Sequence, residues 1–167
     1  MKLVIGLGNP GSKYANTRHN VGYLFIDQIS KSKNQIPNNS KTLIFKSQNF
    51  MNESGVFVKK LVDQYKLGLS DLYIIHDDLD IKLGEYKIQL GHSPKDHNGL
   101  KSIDDALETD EYWHVKIGIE NRIMNNESRI KGEDYVLQEF TKEEKEILYS
   151  TIKVACKKLV TSLANTK

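Results

Sequence analysis

The chain has 167 residues, 38% hydrophobic and 28% charged, with 24 Lys and Arg against 22 Asp and Glu. That is the size of one ordinary domain able to bury on the order of 70% of its unfolded surface, which excludes a miniprotein that depends on disulfides or a metal. A mean hydropathy of -0.52 and the lack of any apolar run near ~18 residues exclude a membrane helix. Residues 1–83 carry 11 basic and 7 acidic side chains and the remainder 13 and 15, too little asymmetry for a polycationic nucleic-acid coat. The opening MKLVIGLGNPG is a strand-length apolar stretch, not a secretory signal, and the single cysteine, Cys156, falls in a helical apolar pattern that predicts a buried thiol. These features predict a cytoplasmic protein.

Residues 2–5 predict a short buried strand entering the glycine turn Gly6-Leu-Gly-Asn-Pro-Gly11. Val21, Leu24, Phe25 and Ile29 form one stripe of a helix over about 20–30, and residues 31–41, with Pro37, predict a loop. Thr42 to Phe45 predict a strand that ends near Phe50-Met51-Asn52, followed by a helix carrying Val58, Leu61, Val62 and Tyr65 that Gly68 stops. Leu72–Ile75 predicts a strand ending in His76-Asp77-Asp78, and Tyr86–Leu90 another, followed by a loop at 91–97. A short helix from Asn98 carries Leu100, Ile103 and Leu107, and Val115–Ile119 alternates as a strand. The last helix opens on the capping-box sequence Thr141-Lys-Glu-Glu144 and runs to Leu163. Lys153, Lys157, Lys158 and Lys167 follow Glu146 with no acidic residue among them, a pattern that usually marks a solvated helix face. Strands alternating with helices predict a single-domain α/β fold with a mixed, mostly parallel twisted sheet and helices on both faces.

In such sheets ligands bind beyond the carboxyl ends of the strands, where Asn9, His19, Asn52, Asp77 and Asn98 are expected to converge. One asparagine is more often a turn or helix cap than a ligand, so the set carries the signal. Gly6, Gly8 and Gly11 match a dinucleotide fingerprint, but Pro10 precedes the third glycine and residues 12–18 have no helical stripe, so an oxidoreductase reading fails in context. His76-Asp77-Asp78-Leu-Asp80 offers hard-metal ligands, yet its companions are amides rather than further carboxylates, and no metal or cofactor is expected. No G-x-S-x-G elbow is present for acyl-enzyme chemistry. His19 enters a helix, whose positive end favours a neutral imidazole, and Asp77 at another strand end can fix its tautomer. Water then serves as the nucleophile on an already reactive carbonyl ester.

Asn9-Pro-Gly11, Tyr14, Thr17-Arg-His-Asn-Val-Gly22, Phe50-Met-Asn-Glu-Ser-Gly55, His76-Asp-Asp-Leu-Asp80 and His97-Asn-Gly-Leu-Lys-Ser-Ile103, in this order, resemble the motifs of bacterial-type peptidyl-tRNA hydrolases over nearly the whole chain. The resemblance implies a cofactor-free, usually monomeric α/β enzyme that cleaves the ester between a peptide and the terminal ribose of tRNA. It implies His19 as general base, Asp77 as its partner, Asn9 as the residue that distinguishes N-blocked from free aminoacyl groups, and Asn52 and Asn98 as substrate and water ligands. Tyr14, Phe50 and Met51 would line the cleft, with Lys87, Lys95 and Lys101 available to tRNA phosphates. The chain departs from the pattern in the loop Gly91-His-Ser-Pro-Lys-Asp96, which replaces a glycine-rich segment, at Gln89, where a basic residue is frequent, in a shortened stretch before Phe50, and at Glu120-Asn121. The altered loop leaves a tRNA acceptor-stem binder without turnover as the alternative.

Overall fold

The computed structural model describes residues 1–31, 41–122 and 130–165; the loop positions 32–40 and Lys167 lie outside them. Its centre is a five-stranded sheet of β1 (Lys2–Gly6), β2 (Thr42–Lys46), β3 (Leu72–Lys82), β4 (Tyr86–Leu90) and β5 (Trp113–Glu120) in the order β2-β1-β3-β5-β4. All neighbours are parallel except β4, which runs antiparallel to β5 at one edge of the sheet. The apolar run of β1 is buried at every position because helices cover both of its faces.

Those helices are α1 (Val21–Lys31), α2 (Ser54–Tyr65), α3 (Asn98–Leu107), the short α4 (Gly132–Tyr135) and α5 (Lys142–Asn165). Alternation along the strands sorts the core: Val4, Ile75 and Ile117 meet α1 and α5, whereas Leu3, Ile5 and Ile74 meet α2 and α3. The expected capping box forms at α5, with Glu144 N donating to Thr141 Oγ1 at 3.2 Å and Thr141 N donating to Glu144 Oε2 at 2.9 Å. Cys156 is buried, and Lys153, Lys157 and Lys158 lie on the exposed face of α5.

Three boundaries differ from the sequence expectation, the first at β2, which ends at Lys46 and not near Phe50. The predicted strand at 72–75 does not end at His76: β3 continues to Lys82, because β5 still pairs with Asp77 and Asp78 after β1 has finished. Helix α2 stops at Lys66, not Gly68. Lys66 takes a left-handed φ of 49°, and its N–H and that of Leu67 cap the last carbonyls. The four-residue α4 has no counterpart among the predicted elements.

Close backbone approach places α1. A Cβ on Gly22 would stand 2.4 Å from the Leu7 carbonyl oxygen and 2.6 Å from that of Ile75, so only glycine lets the helix start rest on the ends of β1 and β3. The turn just before it, Arg18–Asn20, is thereby held at the carboxyl edge of the sheet. Arg18 is clamped from the other side. Its guanidinium donates to Glu144 Oε2 at 2.6 Å and to the carbonyls of Gln138 and Glu139, and lies over the rings of Tyr135 and Phe140. Both partners of the ion pair are buried. Glu144→Gln, which leaves the Arg18 charge without its counter-ion, is expected to cost about 3 kcal/mol of stability, read as the shift of a urea unfolding midpoint.

Candidate active site

Asp77 stands on the face of β3 that looks toward the Arg18–Asn20 turn, with 2% of its surface exposed. His19 Nδ1 lies 2.9 Å from Asp77 Oδ1 and 3.0 Å from Oδ2. A carboxylate only accepts, so Nδ1 carries the hydrogen and Nε2 is left as a lone pair. The two residues expected to meet are therefore in direct contact, and the tautomer is the one a general base requires.

A second imidazole shares the carboxylate. His97 Nε2 is 3.1 Å from Asp77 Oδ1, and its Nδ1, at the N-cap of α3, accepts from Leu100 N at 3.3 Å. Because Nδ1 accepts, Nε2 is the protonated nitrogen, and Asp77 receives two N–H donors. His19, Asp77 and His97 could offer three ligand atoms to a cation, all within 4.8 Å of one another. Metal on His97 Nε2 would push its hydrogen onto Nδ1, against the Leu100 N–H; the three groups are better satisfied by each other.

The electrostatics follow from this sharing. Burial lowers the His19 pKa, but the charge of Asp77 and its hydrogen bond outweigh burial, so the ring titrates above the ordinary 6.5. The expectation that a helix N-terminus would hold His19 neutral is corrected here: the residue sits in a 3-10 turn ahead of α1, and the adjacent carboxylate dominates. Burial alone would raise Asp77; His19 and His97, by charge and hydrogen bonding, instead hold it far below the usual carboxylate range.

Asn9 is held in place by Asn20, the residue after His19. Asn20 grips the backbone of Asn9 at two points, Oδ1 accepting from Asn9 N at 2.8 Å and Nδ2 donating to Asn9 O at 3.0 Å. Asn9 Oδ1 accepts from Met51 N at 2.8 Å, so the flip of the amide is fixed and its NH2 group is the one left to present. Met51 is buried against Gly99, and Tyr14 meets the half-exposed Phe50 edge to face at 6.4 Å. Asn52 and Asn98 are exposed at the starts of the turn leading into α2 and of α3.

The basic residues do not gather into one patch. Lys87 is exposed on β4, opposite Lys116. Lys95 and Lys101 line a separate groove of about 450 Å³ that also holds Asp104, Asp105 and Asp110, so carboxylates offset much of their field. The 91–97 loop is tied down: the N–H groups of His92 and Ser93 donate to Asp110 Oδ2, and Lys116 Nζ donates to the His92 carbonyl at 2.8 Å while lying 3.5 Å from Asp78.

His76-Asp77-Asp78-Leu-Asp80 does not act as a ligand cluster. Strand alternation sends Asp77 to one face and His76 and Asp78 to the other, where Asp78 Oδ1 accepts from Asp80 N at 2.8 Å. After Gly11 the chain makes one 3-10 turn, Ser12–Tyr14, so the glycine fingerprint has no helix to receive a pyrophosphate. Sequence reasoning missed Asn20, His97 and Lys116. Two of these stand inside quoted motifs, and their position beside His19 and Asn98 was the available signal.

A mostly parallel sheet whose carboxyl edge holds a His-Asp couple fits a hydrolytic α/β enzyme. The family model for peptidyl-tRNA hydrolase matches residues 3–167. A peptidyl-tRNA hydrolase of Sulfurihydrogenibium sp. (strain YO3AOP1) is 40% identical over 162 residues, covering 89% of this chain and 83% of that one. One from Carboxydothermus hydrogenoformans is 37% identical over 177 residues, covering 98% and 92%. The crystal structure of the Acinetobacter baumannii peptidyl-tRNA hydrolase superposes with a TM-score of 0.75 at 25% identity, covering 99% of this chain and 93% of that one. The chain belongs to the peptidyl-tRNA hydrolase family.

Two further buried histidines set an acid limit on stability. His76 is held well below 6.5 by burial and by the cost of placing two positive charges together beside His97 or His114, and His114 is pushed down to about 4, mainly by burial. Both stay neutral in the folded protein at pH 5–6, whereas the unfolded chain protonates them. The stability they contribute is complete above pH 6.5 and falls as the pH drops toward 4. His19 has the opposite sign, and its contribution is already complete below 6.5. Unfolding is expected to take up about two protons at pH 5–6 and to lose roughly 2 kcal/mol per pH unit, measured by urea titrations across that window.

Proposed function

We propose that the chain hydrolyses the ester joining a peptide, or an N-blocked aminoacyl group, to the terminal ribose of tRNA, and that water is the nucleophile. The free Nε2 of His19, left unprotonated by the Nδ1 to Asp77 hydrogen bond, is the observation that carries this reading. As water attacks the carbonyl carbon its proton passes to Nε2; the tetrahedral intermediate then collapses, and the ribose oxygen leaves with that proton. The products are a peptide carboxylic acid and a tRNA with a free terminal hydroxyl, so protons balance without a covalent enzyme intermediate.

The NH2 group of Asn9 suits a substrate carbonyl and cannot replace the hydration of a free α-ammonium, a physical basis for sparing ordinary aminoacyl-tRNA. Asn52 and Asn98 hold the substrate and the attacking water, while Tyr14, Phe50 and Met51 flank the acyl group and terminal nucleotide. Lys87, with Lys95 and Lys101 at the side, meets phosphates of the acceptor end. The single buried cysteine supports a reducing compartment and a cytoplasmic site of action, and the enzyme works as a monomer.

The test is incubation with N-acetyl-aminoacyl-tRNA and with its unblocked form, without added metal or nucleotide. Release from the blocked ester alone supports the proposal. Binding without release indicates an acceptor-stem binder, and indifference to both rejects the assignment. With a net charge of +2 and basic residues dispersed, the logarithm of affinity is expected to fall with log salt at a slope reflecting about two to four phosphate contacts. A filter-binding series in KCl that gives a much steeper slope would overturn the dispersed-lysine arrangement.

A further inference from the structure

Behind Asp77 lies a buried pair of imidazoles that the reaction above does not use. His76 Nδ1 sits 2.8 Å from the carbonyl oxygen of Asp77. His76 Nε2 is 3.3 Å from His114 Nδ1, and His114 Nε2 is 3.3 Å from the Asp110 carbonyl. Neither ring has any exposed surface. Tyr112 stacks on His114 with ring centres 4.4 Å apart, and donates its hydroxyl to Asp104.

Strand geometry explains why the Asp77 carbonyl needs this partner. The Ile75 carbonyl accepts from Leu7 N at 2.9 Å as β1 ends. Two residues on, the Asp77 carbonyl points to the same side, where β1 no longer offers a donor. The ring of the preceding residue takes over.

Counting hydrogens then fixes both tautomers. Three contacts each require one hydrogen, and two neutral imidazoles bring one apiece. The shortest contact cannot join two lone pairs, so His76 is protonated on Nδ1 and its Nε2 accepts. Protonating His114 on Nε2 instead would leave two buried ring nitrogens, His76 Nε2 and His114 Nδ1, facing each other without a hydrogen, so His114 Nδ1 is the donor to His76. That choice leaves one buried ring nitrogen, His114 Nε2, without a hydrogen against the Asp110 carbonyl, which already accepts from Tyr112 N at 2.9 Å. A third hydrogen is resisted by what surrounds the pair. His76 faces Asp77, His97 and His114, and His114 faces Asp110, Tyr112, Lys116 and His97; burial above all, with Lys116 acting on His114, keeps both rings neutral near pH 7.

We propose that His114 is a positioning residue for the His19–Asp77 couple: by donating to His76 it holds that ring in the Nδ1–H tautomer, and His76 in turn pins the Asp77 backbone where the sheet stops doing so. This rests on the reading of His19 as the base that Asp77 orients, but the tautomers are observable without any assay of hydrolysis.

Ring 15N shifts of the wild-type protein at pH 7 are expected to show His76 and His114 each protonated on Nδ1 and bare on Nε2. An Nε2-protonated ring at either position overturns the proposal whatever the enzyme does. Kinetics on blocked aminoacyl-tRNA then test the positioning role. The amide nitrogen of asparagine falls where Nδ1 lies and that of glutamine where Nε2 lies, so His114→Asn keeps the donor to His76, whereas His114→Gln and His114→Phe lose it. The Gln and Phe variants are expected to lose on the order of tenfold in kcat with KM within about twofold, and the Asn variant to stay within about twofold in both. The acid limb of kcat/KM moves to lower pH in Gln and Phe only, since a looser Asp77 raises His19 less. Wild-type kcat and acid limb in Gln and Phe, or failure of Asn to restore them, rejects the proposal.

Discussion

Replacing His19 with alanine is expected to slow hydrolysis of N-blocked aminoacyl-tRNA by roughly 10²–10⁴ while changing KM little, the signature of a lost general base. The size of the effect follows from the site's lack of a substitute. His97 is close to Asp77, but its Nδ1 is committed to the α3 cap and its Nε2 carries a hydrogen, so it cannot take a proton from water. The pH profile gives an independent check. Only unprotonated His19 is active, and its pKa lies above 6.5, so kcat/KM should climb with pH through a limb above that value. The alanine variant should lose this limb. A rate near that of the wild type, or an acid limb that survives the substitution, removes His19 from the role.

Asp77→Asn is expected to have an effect of similar size, about 10³–10⁴ in kcat, for a different reason. Asp77 accepts from two histidines at once, both on Oδ1, while Oδ2 also lies 3.0 Å from His19 Nδ1, so an asparagine sets its NH2 group against His19 in either flip and against His97 in one. Whichever imidazole faces the NH2 must turn that nitrogen into an acceptor. If it is His19, its hydrogen moves to Nε2 and the base is lost. If it is His97, its Nδ1 becomes protonated and collides with Leu100 N–H, loosening the start of α3 that carries Asn98. Loss of the negative charge also lets burial pull the His19 pKa down, so whatever activity remains should show its acid limb at lower pH than the wild type. Retained kcat with an unshifted limb would show that the carboxylate neither orients nor charges the ring.

The fold was largely legible in one dimension because its elements announce themselves by period and punctuation. The Val21, Phe25 and Ile29 stripe, the Thr141-to-Glu144 capping box and the uninterrupted apolar run of β1 all act within a few residues of chain. The misjudged end of β3 shows the limit. His76-Asp77-Asp78 reads as polar, hence as loop, and is strand only because β5 goes on pairing with it. Lys66 rather than Gly68 ends α2 because the cap is decided by which carbonyls remain unpaired, and a non-glycine residue accepts a left-handed φ when two hydrogen bonds reward it.

The chemistry divides along the same line. Residue types and motif order alone pointed to His19, Asp77 and the asparagines as one candidate site, since strand ends of a parallel sheet meet at one edge wherever the elements alternate, and His19 and Asp77 are in contact there. Which nitrogen of each imidazole holds a hydrogen, that His97 shares the carboxylate, that His19 is raised rather than kept neutral, and that Lys95 and Lys101 sit among acids were decided only in three dimensions. Proton placement and pKa depend on partners 2.9–3.1 Å away that lie 58 and 20 residues distant along the chain, and no local pattern encodes those distances.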